Sequence, residues 1–202
     1  MQPLRLHIGC GDQRLEGWVN VDVQPSPAVD VVLDVTKGLP FSNVELVFAE
    51  HFIEHLAVDE ALDFLVEVHH VLQSDGWLRL STPNLDWVWA THYRLDGSAG
   101  EKLTMGLRTN RAFRAWGHQF LWNRDTLDES LRACGFDAIR WVGYRESSLD
   151  ALRGIERHET YGDAPGLPHV LVVEARKAAM RAAGLAELRR HIAEELVVHI
   201  CR

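Results

Sequence analysis

In the opening stretch LRLHIGCGDQRLEGWVNVD, Gly9 and Gly11 flank Cys10, and a carboxylate, Asp22, ends the next apolar run. LRLHI reads as a short buried strand that stops at Gly9. VNVDV (Val19–Val23) reads as a second strand closed by Asp22, and VDVVLDV as a third with Asp34 near its end. Without side chains, Gly9 and Gly11 let a ligand press against the backbone. A carboxylate at the end of strand two can accept hydrogen bonds from both hydroxyls of a ribose. Asp34 stands where it can accept from an adenine amino group. These pieces suit an adenosine. They do not make a dinucleotide fingerprint, because GxGxxG requires glycine where this chain has Arg14. No GKS or GKT phosphate loop is present either, so the adenosine ligand need not carry phosphates.

A second motif competes with the first. HFIEH, His51 to His55, matches the H-x-x-E-H pattern of inverted zinc peptidases. Histidines at i and i+4 share a helix face, and Glu54 would act as the base of a zinc hydrolase. Two points weigh against it. The motif follows directly on a strand, VELVFAE (Val44–Glu50), and a third zinc ligand must come from elsewhere. No metal is therefore assigned, and zinc hydrolysis stands as the third reading.

The elements that position these residues alternate. A helix over about Asp59–Gln73 sends Ala61, Leu62, Leu65, Val68 and Leu72 to the core, with Gly76 as its stop. WLRLST (Trp77–Thr82) is a fifth strand, closed by Pro83. NRDTLDESLRACGF is a short helix capped by Asn123 or Asp125 and ended by Gly135. AIRWVGY is a sixth strand and HVLVVEA (His169–Ala175) a seventh. From Lys177 to Cys201 the chain reads as helix, with Leu185, Leu188, Ile192 and Leu196 in one stripe. Strands alternating with helices predict an α/β fold with a doubly wound, mostly parallel sheet. DQRLEGW and QPSPA are too short for full crossover helices. Either those crossovers are bare loops, or one of the flanking segments is not a regular strand.

The 202 residues carry 21 Lys and Arg against 29 Asp and Glu, a net charge of −8. An acidic surface repels a phosphate backbone, so nucleic acid is not expected as a partner. Cys10, Cys134 and Cys201 are widely spaced and odd in number, which argues against a disulfide framework or a cysteine zinc site. No apolar run is long enough to span a bilayer. The expectation is a cytoplasmic protein without a membrane partner.

HIGCGD, VDV, LPFSNVELVFAEHFIEHL and HHVLQSDGWLRLSTPN together resemble the successive motifs of small class I S-adenosylmethionine-dependent methyltransferases of the "type 11" kind. The resemblance runs motif by motif over about Leu4 to Asn84 and more loosely to Lys177. It implies a Rossmann-like sheet of seven strands, the last antiparallel, with S-adenosylmethionine as cofactor. By the same resemblance Gly9, Cys10 and Gly11 line the methionine and ribose, and Asp22 holds the ribose. Asp34 and Val35 take the adenine, while Glu50 and His51 form the floor near the methyl group. His7 stands where the family usually has Asp or Glu, and so falls at the cofactor's amino end. Gln13 replaces the third glycine of the fuller loop, and LQSDGW lacks the usual proline.

Methyl transfer needs a base only if the acceptor must lose a proton. Histidine suits that role near neutral pH, and His51, His55 and His118 are the candidates. Each has a plain alternative as a hydrogen-bonded structural residue, His55 as a cap above all. His69 and His70 are given no role; Glu156 and His158 of RGIERHE could reach the site from the long connection to the last strand, but polar loop residues are usually just solvated. Residues 84–123 form an insertion rich in tryptophan (Trp87, Trp89, Trp116, Trp122), with Tyr93, Phe113 and Phe120 and with Arg94, Arg108, Arg111 and Arg114 interleaved. It is either a lid presenting flat apolar faces and cations to an anionic or sugar-like acceptor, or a small insertion packed by its aromatics. The domain reading is 1–177 for the methyltransferase unit with this insertion and 178–202 for an amphipathic helix, in a monomer or a homodimer paired through that helix. The function expected is methylation of a small-molecule acceptor. The alternative is a non-catalytic protein that binds S-adenosylmethionine or S-adenosylhomocysteine.

Overall fold

The computed structural model of the chain describes residues 4–158, 162–180 and 182–197. Glu159 and Cys201 lie outside them. Seven strands form one sheet: β1 (Leu4–Ile8), β2 (Val19–Asp22), β3 (Val31–Val32), β4 (Val44–Glu50), β5 (Leu72–Pro83), β6 (Phe136–Trp141) and β7 (Val170–Lys177). Their order is β3-β2-β1-β4-β5-β7-β6. β1 to β5 pair in parallel, and β7 runs antiparallel to both β5 and β6. Both expectations, the doubly wound sheet and the reversed last strand, hold.

Among the described residues five α-helices accompany the sheet: α1 (Val58–Val71), α2 (Leu85–His92), α3 (Ala99–Arg114), α4 (Arg124–Ala133) and α5 (Ala182–Val197). Ala61, Leu62, Leu65 and Val68 of α1 are buried, as their spacing predicts, and so is Leu72 in β5. Leu127 and Leu131 of α4 join the same core, and Leu185, Leu188 and Ile192 of α5 pack against it. The stripe on α5 thus packs on the chain's own core beside α4, with Leu196 left half exposed. Asn123, not Asp125, caps α4: its Oδ1 accepts from the Thr126 N–H at 2.9 Å.

Gly76 does not stop α1. The helix ends at Val71, and Gly76 lies inside β5. A Cβ there would fall 2.9 Å from Leu72 Cδ2 and 3.0 Å from the Val44 carbonyl oxygen, so close packing is what requires the glycine. The third strand is also shorter than its apolar run suggests. Only Val31 and Val32 pair, and Asp34 instead caps a 3₁₀ turn over Val35–Lys37.

The two short crossovers, β1 to β2 and β2 to β3, contain no helix. Helices from those crossovers would normally cover one face of the sheet. Here the connection from β6 to β7 covers it. Leu152, in a 3₁₀ turn over Asp150–Leu152, packs with Leu15, Trp18, Leu46 and Phe48, and Leu149 and Ile155 flank them. This strap is pinned by charge. Arg79 of β5 donates to Glu156 of the strap at 2.5 Å and to Glu174 of β7 at 2.6 Å, and all three side chains are wholly buried. Arg79 Nη1 also donates to the Glu146 carbonyl at 2.9 Å, and Ser147 Oγ donates to Glu174 at 2.6 Å.

Removing Arg79 leaves two buried carboxylates without a cation, which costs about 3–5 kcal/mol. For a chain of this length R79M should lower the melting temperature by roughly 6–20 °C. E156Q should lower it less, because Arg79 keeps Glu174. Thermal melts of the two variants beside the wild type check both the size and the order.

Candidate active site

The carboxyl ends of β1, β2 and β4 meet at one edge. There Gly9 has φ +67°, and a Cβ would fall 2.6 Å from Phe52 Cδ2, so no side chain fits. Gly11 has φ +54° and open space where its Cβ would be. The turn is fastened by Asp22, whose Oδ2 accepts from the Gly11 N–H at 2.8 Å and whose Oδ1 accepts from the Gln24 N–H at 2.8 Å. Each carboxylate oxygen offers two lone pairs, so one on each remains for ribose hydroxyls. Ser26 Oγ donates to the Gly11 carbonyl at 2.9 Å and ties the far side of the turn. Cys10 is buried, and burial with the Asp22 charge pushes its thiol up to about 11, so it stays protonated and inert at neutral pH.

His7, next to the carboxyl end of β1, lies close enough to Glu50, Asp22 and Arg157 to feel their charges. It is buried, lies 3.1 Å from Asn20 Oδ1 and stacks on Phe48. Burial lowers its pKa below the ordinary 6.5, against the raising effect of the Asn20 bond. It is therefore neutral, and brings no negative charge to a cofactor's amino end. Asp34 is likewise occupied: it accepts from the Thr36 hydroxyl at 2.6 Å and pairs with Lys37 at 2.9 Å, which hold its pKa at about 2. Val35 is buried in the main core.

Glu50 ends β4 beside the glycine turn and is buried. Its carboxylate accepts from the backbone N–H groups of Arg157 and His158 at 2.9 and 3.2 Å, and His158 Nδ1 lies 3.3 Å away. Burial works to raise the Glu50 pKa, but these bonds outweigh it and hold it below the usual 4.5. The bond to Glu50 raises the pKa of His158 above 6.5. Tyr144 donates its hydroxyl to the His158 carbonyl. Thus the strap that covers the sheet also reaches the ligand edge, and it brings the exposed Arg157 there.

His51 follows Glu50 with φ +47°, a strained value for a non-glycine residue. It lies 3.1 Å from Glu54 Oε1 through Nδ1, and the Thr82 hydroxyl donates to Glu54 Oε2 at 3.0 Å. A carboxylate only accepts, so Nδ1 carries a proton, and in the neutral ring Nε2 holds the lone pair. That Nε2 is buried and has no hydrogen-bond partner among the described residues. The His158 ring stands against it, centroid to centroid at 4.7 Å.

HFIEH is not one helical face. The backbone is non-helical at His51 and at Phe52, and a 3₁₀ turn spans only Ile53–His55. His55 does not cap α1; Ala57 does, with its N–H donating to Glu60 at 3.0 Å. His55 instead faces His118, ring centroids 5.1 Å apart. Three of the candidate histidines therefore gather around one buried carboxylate, Glu54.

The insertion closes on itself. Asn84 and Trp122 bridge at its base, and the Leu85 N–H donates to the Trp122 carbonyl at 2.9 Å. Its aromatics divide. Trp87 and Trp122 are buried, while Trp116 is 69% exposed and Trp89 and Tyr93 stack on each other at the surface. Arg94, Arg108, Arg111 and Arg114 are all exposed.

No family model matches the chain, and no curated protein matches it. Solved structures do. A methyltransferase dependent on S-adenosylmethionine from Archaeoglobus fulgidus superposes with a TM-score of 0.55 at 16% identity, over 87% of each chain. One from Mesorhizobium loti gives 0.54 at 15%, over 86% of this chain and 90% of that one. This is the class I S-adenosylmethionine-dependent methyltransferase fold. The 1,6-didemethyltoxoflavin-N1-methyltransferase of Burkholderia thailandensis, solved with its namesake compound and S-adenosylhomocysteine bound, shares that fold with a TM-score of 0.53 at 17% identity, over 88% of this chain and 72% of that one. Set in the class I methyltransferase fold, the glycine turn, Asp22, Glu50 and His51 occupy the carboxyl edge of the parallel strands, where doubly wound sheets take their ligands.

Sequence reasoning noted that His158 could reach the site but set it aside; beyond it, Arg157 and Thr82 were missed. Arg157 and His158 sit in a long polar connection whose composition carries no signal. Glu54 was visible, but only as a zinc hydrolase's base.

The Glu50–His158 contact carries a sign with pH. His158 has a raised pKa, so its contribution is complete below 6.5 and is lost as the pH climbs through the raised value. Glu50, with a lowered pKa, contributes fully above 4.5 and fails only in stronger acid. Hydrogen exchange at the Arg157 and His158 amides, corrected for intrinsic rate, should therefore quicken as the pH passes 6.5 and beyond. In E50Q it should be fast throughout.

Proposed function

We propose that this chain transfers a methyl group from S-adenosylmethionine to a small-molecule acceptor in the cytoplasm. The observation that carries the reading is the open glycine turn at Gly11, fastened by Asp22 and standing at the same edge as Glu50, Arg157 and His51. The residues fit the cofactor. The space beside Gly11 admits a ligand against the backbone, Asp22 keeps lone pairs for a ribose, and Arg157 offers an exposed cation to an amino-acid carboxylate. Bound there, the cofactor supplies a sulfonium methyl that leaves with its bonding electrons returned to sulfur.

The protein's own work is alignment, exclusion of water and proton removal. His51 Nε2 takes the proton of an acceptor hydroxyl or amine as the new bond to carbon forms. Glu54 fixes the His51 tautomer and stabilises the imidazolium, and Thr82 holds Glu54 in turn. This is the carboxylate–histidine logic of general-base catalysis. The exposed Trp89, Tyr93 and Trp116, with the four arginines of the insertion, favour an acceptor that is anionic or sugar-like. The insertion carries five Lys and Arg against three Asp and Glu, a local positive balance in an otherwise acidic chain.

Calorimetric titration of S-adenosylhomocysteine tests the cofactor. Wild type should bind, and D22A should bind roughly 10- to 100-fold more weakly, the worth of hydrogen bonds to a charged group. No heat with the wild type would overturn the reading. H51Q should bind the cofactor product normally yet lose about 10²–10⁴ in turnover with any acceptor found by transfer of a labelled methyl group. If the wild type binds but methylates nothing in such a screen, the non-catalytic binder replaces the enzyme.

A further inference from the structure

Around Glu54 the fold gathers more than a base needs. Glu54, His55 and His118 come from two segments, yet each offers a ligand atom within 4.8 Å of the others. We propose that these three side chains form a binding site for a divalent transition-metal ion, beside the base that the methyltransferase reading assigns. The sequence assigned no metal, since pairing His51 with His55 left the third ligand unknown. The structure sets His51 aside and supplies His118.

Four features support the site. First, the backbone is built to hold it. The Gln119 and Phe120 N–H groups donate to the Glu54 carbonyl at 2.8 and 3.2 Å, and the Gln119 side-chain amide donates to the His55 carbonyl at 2.6 Å. The two ligand segments are thus clamped together by bonds that do not involve the ligand atoms. Second, His118 Nδ1 lies 2.8 Å from the Ala112 carbonyl. A carbonyl only accepts, so Nδ1 carries the proton and Nε2 keeps its lone pair, the outer-shell arrangement typical of metal-bound histidine. The His55 ring takes no hydrogen bond among the described residues.

Third, the ring centroids of His55 and His118 are 5.1 Å apart. Two imidazoles on one tetrahedral ion, each bound at about 2.1 Å, place their centroids about 5 Å apart. Fourth, the Glu54 carboxylate is wholly buried. His51 and Thr82 take one lone pair on each oxygen and leave one on each. A buried carboxylate without a full cation is costly, and an ion against the free lone pairs relieves that cost.

Two imidazoles and one carboxylate suit zinc, cobalt, iron or manganese rather than magnesium or calcium, which prefer oxygen ligands. Three protein ligands leave positions open. Through Glu54 the ion lies one carboxylate away from His51, so an acceptor with an oxygen donor could be held at the open positions while His51 takes its proton. Only this last role rests on the methyltransferase reading; the site itself does not.

The test is Co²⁺ titration of chelator-treated full-length protein, followed by the visible absorption of a protein-bound ion. Wild type should saturate at one equivalent. H118A and H55A, each checked for folding by circular dichroism, should bind roughly 100-fold more weakly or not at all. No saturable band with the wild type, or a band unchanged in both variants, would overturn the proposal. Titrating S-adenosylhomocysteine into the same stripped protein separates the two readings. Cofactor binding without Co²⁺ binding removes the ion alone, and Co²⁺ binding without cofactor binding removes the methyltransferase alone.

Discussion

A single guanidinium, sealed from water between β5, β7 and the strap, holds one face of this protein in place. Arg79 meets two carboxylates, Glu156 and Glu174, all three of them wholly buried. Taking three charges out of water is unfavourable unless each finds a partner, so the cluster specifies an arrangement more than it adds stability. What it specifies is where the β6–β7 connection lies. With no helix in the first two crossovers, Leu46 and Phe48 would otherwise face solvent. The pinned strap brings Leu149, Leu152 and Ile155 over them.

The same strap then turns from packing to chemistry. Glu156 faces the sheet, and the next two residues give their amide protons to Glu50 at the ligand edge. Across the edge, Glu54 plays a comparable organising part on the other segment. It receives His51 and Thr82, and its own backbone carbonyl receives the segment that carries His118. Two buried carboxylates, Glu50 and Glu54, thus gather the polar groups of the edge around them.

Much of this was legible in the sequence. β-Branched runs and the helical spacing of Ala61, Leu62, Leu65 and Val68 reflect burial, which is a local signal repeated along the chain. The glycine turn and Asp22 were legible because a turn and its fastening carboxylate lie close together in sequence. Where reading failed, the deciding contact was distant or competing. That Asp34 would also hold the Thr36 hydroxyl and Lys37 went unread, because nothing marked them as its partners. Gly76 looked like a helix stop, since its true reason, the Val44 carbonyl and the Leu72 side chain, lies in packing that spacing does not reveal. The Asn20 and Phe48 partners of His7 went unread because alternation along β1 does not say which side chains a residue meets. Arg157 and His158 were passed over because a polar loop reads the same whether it is solvated or docked.

The strap's anchoring has a consequence for how the chain acquires its site. The glycine turn, Asp22, Glu50 and His51 all lie within the first 51 residues of the sequence. The groups that finish the edge arrive only when Arg79 closes contacts with Glu156 and Glu174, 77 and 95 residues further along. Contacts of such long separation form late, because the intervening chain must be ordered first. During synthesis, then, the amino-terminal half emerges with an exposed apolar sheet face and an unfinished edge. Both are completed in one event, when β7 enters between β5 and β6, so maturation of the site and completion of the fold are the same step.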